Sequence, residues 1–163
     1  MPTLSGMLES IWVASLAGES MYSLHYADVE AGRGILGDRY HQGEGTFSRW
    51  QRPNRAVSLI EKESLESVRV ETGIDLFNGR HRRNIVTEGV NLADLIGGHF
   101  RIGSVLFKAS ATCPPCRYLE RILEQGVFNA LRNRGGIRAE VMESGLIRAG
   151  DPVIPMGDAK RLP

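Results

Sequence analysis

Two thiols set the chemistry this chain could carry. Cys113 and Cys116 are its two cysteines, and Pro114 and Pro115 separate them. A residue before proline avoids the helical region, so Cys113 and Pro114 are expected to be extended. Pro115 suits a first helical position, where a missing N–H loses no partner. Leu119, Ile122 and Leu123 then recur at helical spacing, and Gly126 is a plausible stop. On that reading Cys116 lies in the first turn of a helix, where free N–H groups and the helix dipole favour a thiolate. Arg117 and Arg121 add positive charge nearby. Such a thiol suits a nucleophile or a soft metal ligand. The plainer alternative is that both cysteines fill a small apolar gap beside a helix, since free cysteine is among the most buried residue types.

The Cys-x-x-Cys spacing admits other readings. A structural zinc site needs two further ligands, and His25, His41, His81 and His99 are scattered along the chain. A thioredoxin-like dithiol fits the spacing, but the strand–helix–strand pattern expected around it is not evident. Two cysteines this close make no disulfide framework.

Arginine supplies the second chemistry. Arg80-His81-Arg82-Arg83 precedes a strand at Asn84 to Thr87, and Arg132-Asn133-Arg134-Gly135-Gly136 precedes one from Ile137. Two clusters at strand entrances could converge on one anion, with Gly135-Gly136 allowing close backbone approach. Solvated loop charge is the alternative. Gly32 to Gly37 matches G-x-G-x-x-G, but no helix opens after it. A glycine-shaped loop presenting Asp38, Arg39 and His41 fits better, with simple solvent exposure as the alternative for His41.

The elements that must position these residues are mostly short strands. Met7 to Ser15 reads as a first strand, and Ser20 to Ala31 holds a second. Ala56 to Ile60 is a buried strand. Ser58 and Glu61 have the spacing of a capping box before a helix over Glu61 to Thr72, with Leu65 and Val68 inward and Gly73 as the stop. Leu92 to Ile96 is a short helical turn. Phe100 to Leu106 and Ile147 to Val153 each read as strand, glycine turn, strand. Ile137 to Val141 alternates, with Ile137, Ala139 and Val141 inward. Regular crossover helices are lacking, so the expected fold is mainly β: a closed or partly open antiparallel barrel with a few peripheral helices.

At 163 residues, with 42% apolar and 24% charged residues, one globular domain over 1–163 is expected, its core at about 29–154 and its tail, 156–163, poorly ordered. A formal net charge of +1 argues against a general nucleic-acid binder. No apolar run approaches the ~18–20 residues that cross a bilayer, and Met1 to Gly18 lacks the basic start of a secretory signal. Cytoplasmic residence is the default expectation. Of 20 basic residues only three, Lys62, Lys108 and Lys160, are lysine. None is a credible Schiff-base lysine: Lys62 sits on a helix face, Lys160 in the tail, and Lys108 alone falls on a strand.

Several blocks occur in one order. They are Gly34 to His41, Val57 to Glu61, Arg82 to Leu92, Phe100 to Gly103, Cys113 to Glu120, Arg134 to Val141 and Gly145 to Val153. Together they resemble the MOSC domain, named for the C-terminal domain of molybdenum cofactor sulfurase, in its short free-standing form. The resemblance runs from about Val29 to Ile154. It implies a barrel-like β fold and an interaction with the molybdenum cofactor (molybdopterin) or its sulfur. The family's cysteine falls on Cys116, as a persulfide-carrying sulfur donor or a thiolate ligand to molybdenum, with Cys113 as the second catalytic candidate. Arg82, Arg83, Arg134 and Arg138 could pair the pterin phosphate, and Asp38, His41 and Asn84 complete the expected cofactor-binding set. Short members are also linked to reduction of N-hydroxylated compounds, which would need an electron-transfer partner; a sulfur donor would meet a molybdoenzyme. A pyridoxal phosphate association belongs to the separate sulfurase domain. The remaining readings are a non-catalytic cofactor-delivery module and a dithiol oxidoreductase using Cys113 and Cys116.

Overall fold

The computed structural model describes residues 6–43, 45 and 53–156. The chain runs β1 (Met7–Val13), β2 (Tyr22–Leu24), β3 (Tyr26–Glu30), β4 (Gly34–Ile35), β5 (Val57–Glu61), α1 (Lys62–Thr72) and β6 (Ile85–Glu88). It continues through β7 (His99–Ile102), β8 (Val105–Thr112), α2 (Arg117–Ile122), α3 (Val127–Ala130), β9 (Ile137–Glu143), β10 (Gly145–Arg148) and β11 (Val153–Pro155). The fold is therefore mainly β with a few short helices.

Eight strands form one sheet in the order β11-β7-β8-β9-β5-β6-β1-β2, and β10-β3-β4 form a second. Leu8 N donates to Asp151 O at 2.8 Å and Val153 N to Gly6 O at 2.7 Å, so the β11 end returns to β1 and the large sheet curls around its contents. Those contents are one apolar core. Leu8, Ile11, Val57, Leu59, Ile102 and Val105 all have 0% exposure. The Phe100 and Phe107 rings stack there at 5.1 Å. Each such side chain removed from water contributes about 1.5–3 kcal/mol. Ile147, Val29 and Ile35 of the small sheet join the same core.

The expected all-antiparallel pattern is corrected at one place. β5 and β6 pair in parallel, Leu59 opposite Ile85, and α1 lies on the crossover between them. A parallel pair needs such a crossover and is buried on both faces. Accordingly Leu59 and Ile85 face the inner core, while Ile60 and Val86 face a second cluster with Leu65, Val68, Leu119 and Leu131. The helices cover that outer face.

Local readings hold in most places. α1 stops at Gly73, whose φ of 77° suits glycine. Ile137, Ala139 and Val141 are buried on β9. The capping box does not form: Ser58 lies inside β5, and Glu61, the residue before α1, spends its carboxylate on Leu92 N at 2.8 Å and on Ser64 Oγ. Ser20 to Ala31 splits into β2, on the large sheet, and β3, on the small one. In the expected tail, Met156 N donates to His99 O at 2.8 Å, and residues 157–163 lie outside the described residues.

Candidate functional site

The thiols lie on the segment that leaves β8. Cys113 is fixed through its backbone: its N–H donates to Gly136 O at 2.8 Å, and its carbonyl accepts from Arg83 Nη2 at 3.2 Å. Arg83 Nε also donates to Gly135 O at 2.9 Å. One buried guanidinium thus clamps the cysteine segment to the turn before β9. A Cβ on Gly135 would strike Cys113 O, which is why the two backbones can lie so close.

The expectation that Pro115 opens the helix is corrected. Cys116 is the residue before α2, extended at φ −128° and ψ 164°, and its carbonyl accepts from Leu119 N at 3.1 Å. The prolines hold Cys113 and Pro114 extended, and the chain stays extended through Cys116 before α2 begins. Both cysteines are free thiols; Cys113 is buried and Cys116 half-buried.

Cys113 and Cys116 line one cavity of about 290 Å³ together with Arg39, Arg55, Arg82, Arg83 and Arg138. Tyr40, Tyr118, Leu119 and Ile122 give it apolar faces, and no Asp or Glu lines it among the described residues. Side chains that follow one another in an extended strand point to opposite faces. Arg82 and Arg83 nevertheless reach the same cavity, because Arg82 takes the left-handed φ of 61°. That conformation costs about 1 kcal/mol or more for a residue with a Cβ.

The arginines differ in freedom. Arg82 donates to Glu19 O, and burial, then Arg39, lowers its pKa from the ordinary guanidinium value. Arg39 pairs with Asp38 at 3.0 Å and lies over the Tyr40 ring at 4.7 Å. Among the described residues, the guanidinium groups of Arg55 and Arg138 have no hydrogen-bond or ion-pair partner, which leaves them available to an anion. Beneath the cavity, His81 Nδ1 accepts from Arg83 N at 2.9 Å. Burial, then Arg83 and Arg82, pushes its pKa down to about 3, so it is neutral.

The other sequence-proposed residues take different places. Asp38 lies below the loop rather than in the cavity wall; it accepts from Ala14 N at 3.3 Å, Arg39 Nη1 and Tyr40 N. Asn84 reaches the wall, but its amide is engaged with Ser58 N at 3.2 Å and Trp12 O at 3.2 Å, tying β5, β6 and β1. His41 turns toward Glu30, 3.6 Å away, and Arg134 bonds Glu71 and Ala130 O; neither lines this cavity. Arg55 has no motif to announce it, since it follows Pro53 in a short turn before β5. Among the described residues no three His, Cys, Asp or Glu side chains gather as a metal cluster, so the thiols are the soft donors here.

Solved structures share this fold. The YuaD protein of Bacillus subtilis superposes with a TM-score of 0.78 at 15% identity, covering 92% of this chain and 94% of that one. YiiM of Escherichia coli gives 0.71 at 18% identity, covering 96% and 72%. YiiM of Geobacillus stearothermophilus gives 0.68 at 16% identity, covering 93% and 75%. No curated protein matches in sequence. The family model of the MOSC domain matches residues 23–154, which take in every strand from β3 to β10 and both thiols, and the chain therefore belongs to the MOSC domain family.

Proposed function

We propose that this chain binds the molybdenum cofactor in the arginine-lined cavity, with Cys116 as the residue that ligates the metal or carries sulfur to it. The observation behind this reading is a half-buried thiol facing five guanidinium groups across one cavity free of carboxylates among the described residues. Family membership ties the chain to molybdenum-cofactor chemistry in general. The residues present suit the group. Thiolate is a soft ligand that molybdenum accepts. A phosphate is paired bidentately by guanidinium. The cavity, about 290 Å³, is near the lower bound of small-molecule sites.

Each residue then has a task. Arg55 and Arg138, whose guanidinium groups have no partner among the described residues, take the anionic end. Arg39 and Arg82 are held in place by Asp38 and Glu19 O and add fixed positive charge. Tyr40, Tyr118 and Ile122 cover flat apolar surface and exclude water. Arg83 keeps Cys113 and the following prolines where Cys116 meets the cavity. Asp38 and Asn84 support loops and strands, and His41 and Arg134 are assigned no contact with the cofactor. When bound, the cofactor supplies two-electron chemistry at its metal, which suits either sulfur transfer or reduction of an N-hydroxylated compound.

The test is protein expressed with an active cofactor pathway. Molybdenum and pterin are expected to copurify, and their content is expected to fall at least about tenfold in Cys116→Ser, the loss typical when a metal ligand or its support is removed. Absence of both metal and pterin, with no persulfide on Cys116 by peptide mass, overturns the proposal. The placement of Cys113 on the same wall favours one second reading, a dithiol oxidoreductase. It requires a reversible Cys113–Cys116 disulfide and metal-free turnover, and a fully active Cys113→Ser protein excludes it.

A further inference from the structure

His81 lies beneath the arginine-lined cavity at 1% exposure, and the function proposed above gives it no task. Its ring meets Trp12 edge to face, with centroids 5.7 Å apart. Its Nδ1 accepts from the backbone N–H of Arg83 at 2.9 Å, and that N–H has no other acceptor among the described residues.

The bond has the form of an asparagine turn. Asparagine and aspartate close such a turn when Oδ1 accepts from the backbone N–H two residues on. Imidazole Nδ1 is attached to Cγ, as Oδ1 is, so a histidine with a free Nδ1 lone pair can take the same part. The lone pair is free here. Burial, then Arg83 and Arg82, pushes the pKa of His81 down to about 3, and the ring proton of the neutral form sits on Nε2.

The turn encloses Arg82, whose φ is 61°. The Arg82 N–H donates to Gly79 O at 3.0 Å, so hydrogen bonds bracket the left-handed residue on both sides. Held this way, Arg82 and Arg83 both line the one cavity. Their guanidinium groups serve two halves of the site. That of Arg82 donates to Glu19 O and adds fixed charge for an anion. That of Arg83 donates to Gly135 O and Cys113 O and holds the thiol segment.

We propose that His81 is a positioning residue that couples these two halves: by accepting from the Arg83 N–H it holds Arg82 left-handed, so anion affinity and the placement of the cysteine segment depend together on its Nδ1. The inference rests on the anion-binding reading of the cavity. A residue that only filled space beneath the cavity would act through its ring. This role acts through one nitrogen.

Two substitutions separate ring from nitrogen. His81→Asn keeps an acceptor on Cγ and gives up the ring packed on Trp12. His81→Phe keeps a ring and gives up the acceptor. Pyrophosphate affinity of the full chain is read by titration calorimetry. It is expected to stay within about threefold of native in His81→Asn and to fall at least about tenfold in His81→Phe, as when a charged hydrogen-bond donor is turned away from its acceptor. Alkylation of Cys113 is expected to follow the same order, close to native in His81→Asn and at least about tenfold faster in His81→Phe, because the Arg83 clamp opens. Native affinity in His81→Phe, or an equal loss in both variants, overturns this role and leaves the anion reading standing. Failure of the native protein to bind pyrophosphate overturns both. Nitrogen-15 NMR of the native protein covers the case in which His81→Phe does not fold. A neutral His81 protonated on Nε2, with Nδ1 coupled to the Arg83 amide, is expected; a proton on Nδ1 overturns the proposal.

Discussion

At residue 81 a histidine is kept neutral by its surroundings. Its pKa falls from 6.5 to about 3, first through burial and then through Arg83 and Arg82. The folded pKa lies below the unfolded one, so the unfolded chain binds the extra proton as the pH drops. The stability linked to this group is fully present above about pH 6.5 and is lost progressively toward pH 3. The expected loss is on the order of a few kcal/mol across that window. Urea unfolding at stepped pH checks it: native protein is expected to weaken steadily below pH 6.5, and His81→Gln is expected to flatten that slope. A slope unchanged in the variant counts against the assignment. Arg82, Arg83 and both cysteines are readable as candidates from their neighbours, Arg138 only from the family resemblance, and all five line one cavity. Arg134, two residues before Gly136, was equally suggestive but turns outward to Glu71. Nothing local distinguishes those fates, because the direction of a loop side chain is set by what the loop packs against.

At the scale of elements, the site is where loops leave strands. β8 delivers the cysteines, β6 receives the arginine pair, and the turn before β9 holds Gly135 and Gly136. Gly136 is the tightest joint: its φ is 96°, and a Cβ there would drive into Leu59 O of β5. Gly136→Ala is therefore expected to destabilise by about 2–4 kcal/mol, combining a strained φ with overpacking. It is also expected to free the Cys113 backbone, whose N–H depends on Gly136 O. Chemical denaturation measures the first effect, and faster alkylation of Cys113 measures the second. A stability change under about 0.5 kcal/mol, the range of an unimportant surface change, would contradict the geometry. Elements were the most legible level of this sequence. Helix α1 and its glycine stop, the alternation of β9 and the β7–β8 hairpin turning at Gly103 follow from periodicity and turn chemistry, whereas the similar segment from Ile147 to Val153 sends its two strands, β10 and β11, to different sheets. The start of α2 was misplaced because two prolines in succession allow either a helical or an extended second residue, and the packing of Cys116 decides.

Across the whole molecule, a formal net charge of +1 conceals one local concentration of positive charge. Five arginines share one cavity, and no Asp or Glu lines it among the described residues. An inorganic polyphosphate such as pyrophosphate is expected to bind there and to stabilise the fold, by about 2.7 kcal/mol when present at 100 times its Kd. The gain is expected to shrink with salt, since the screening length falls from about 10 Å at 0.1 M to about 3 Å at 1 M. Arg138→Met is expected to remove most of the gain and to change unliganded stability by less than about 0.5 kcal/mol, because its guanidinium has no internal partner among the described residues. Thermal shift with and without pyrophosphate reads both; an unchanged shift in Arg138→Met would place the anion elsewhere. The sequence by itself determined the β-rich class, the short helices and the residue types that could do chemistry. Those follow from periodicity, glycine placement and side-chain functional groups, all local properties of the chain. Only the tertiary structure decided that β5 and β6 run parallel, that Arg39 and Arg55 join the cysteines at one cavity, and that Arg134 does not. Each of those depends on contacts between residues far apart in sequence, and local preference carries no information about which distant partner a side chain will meet.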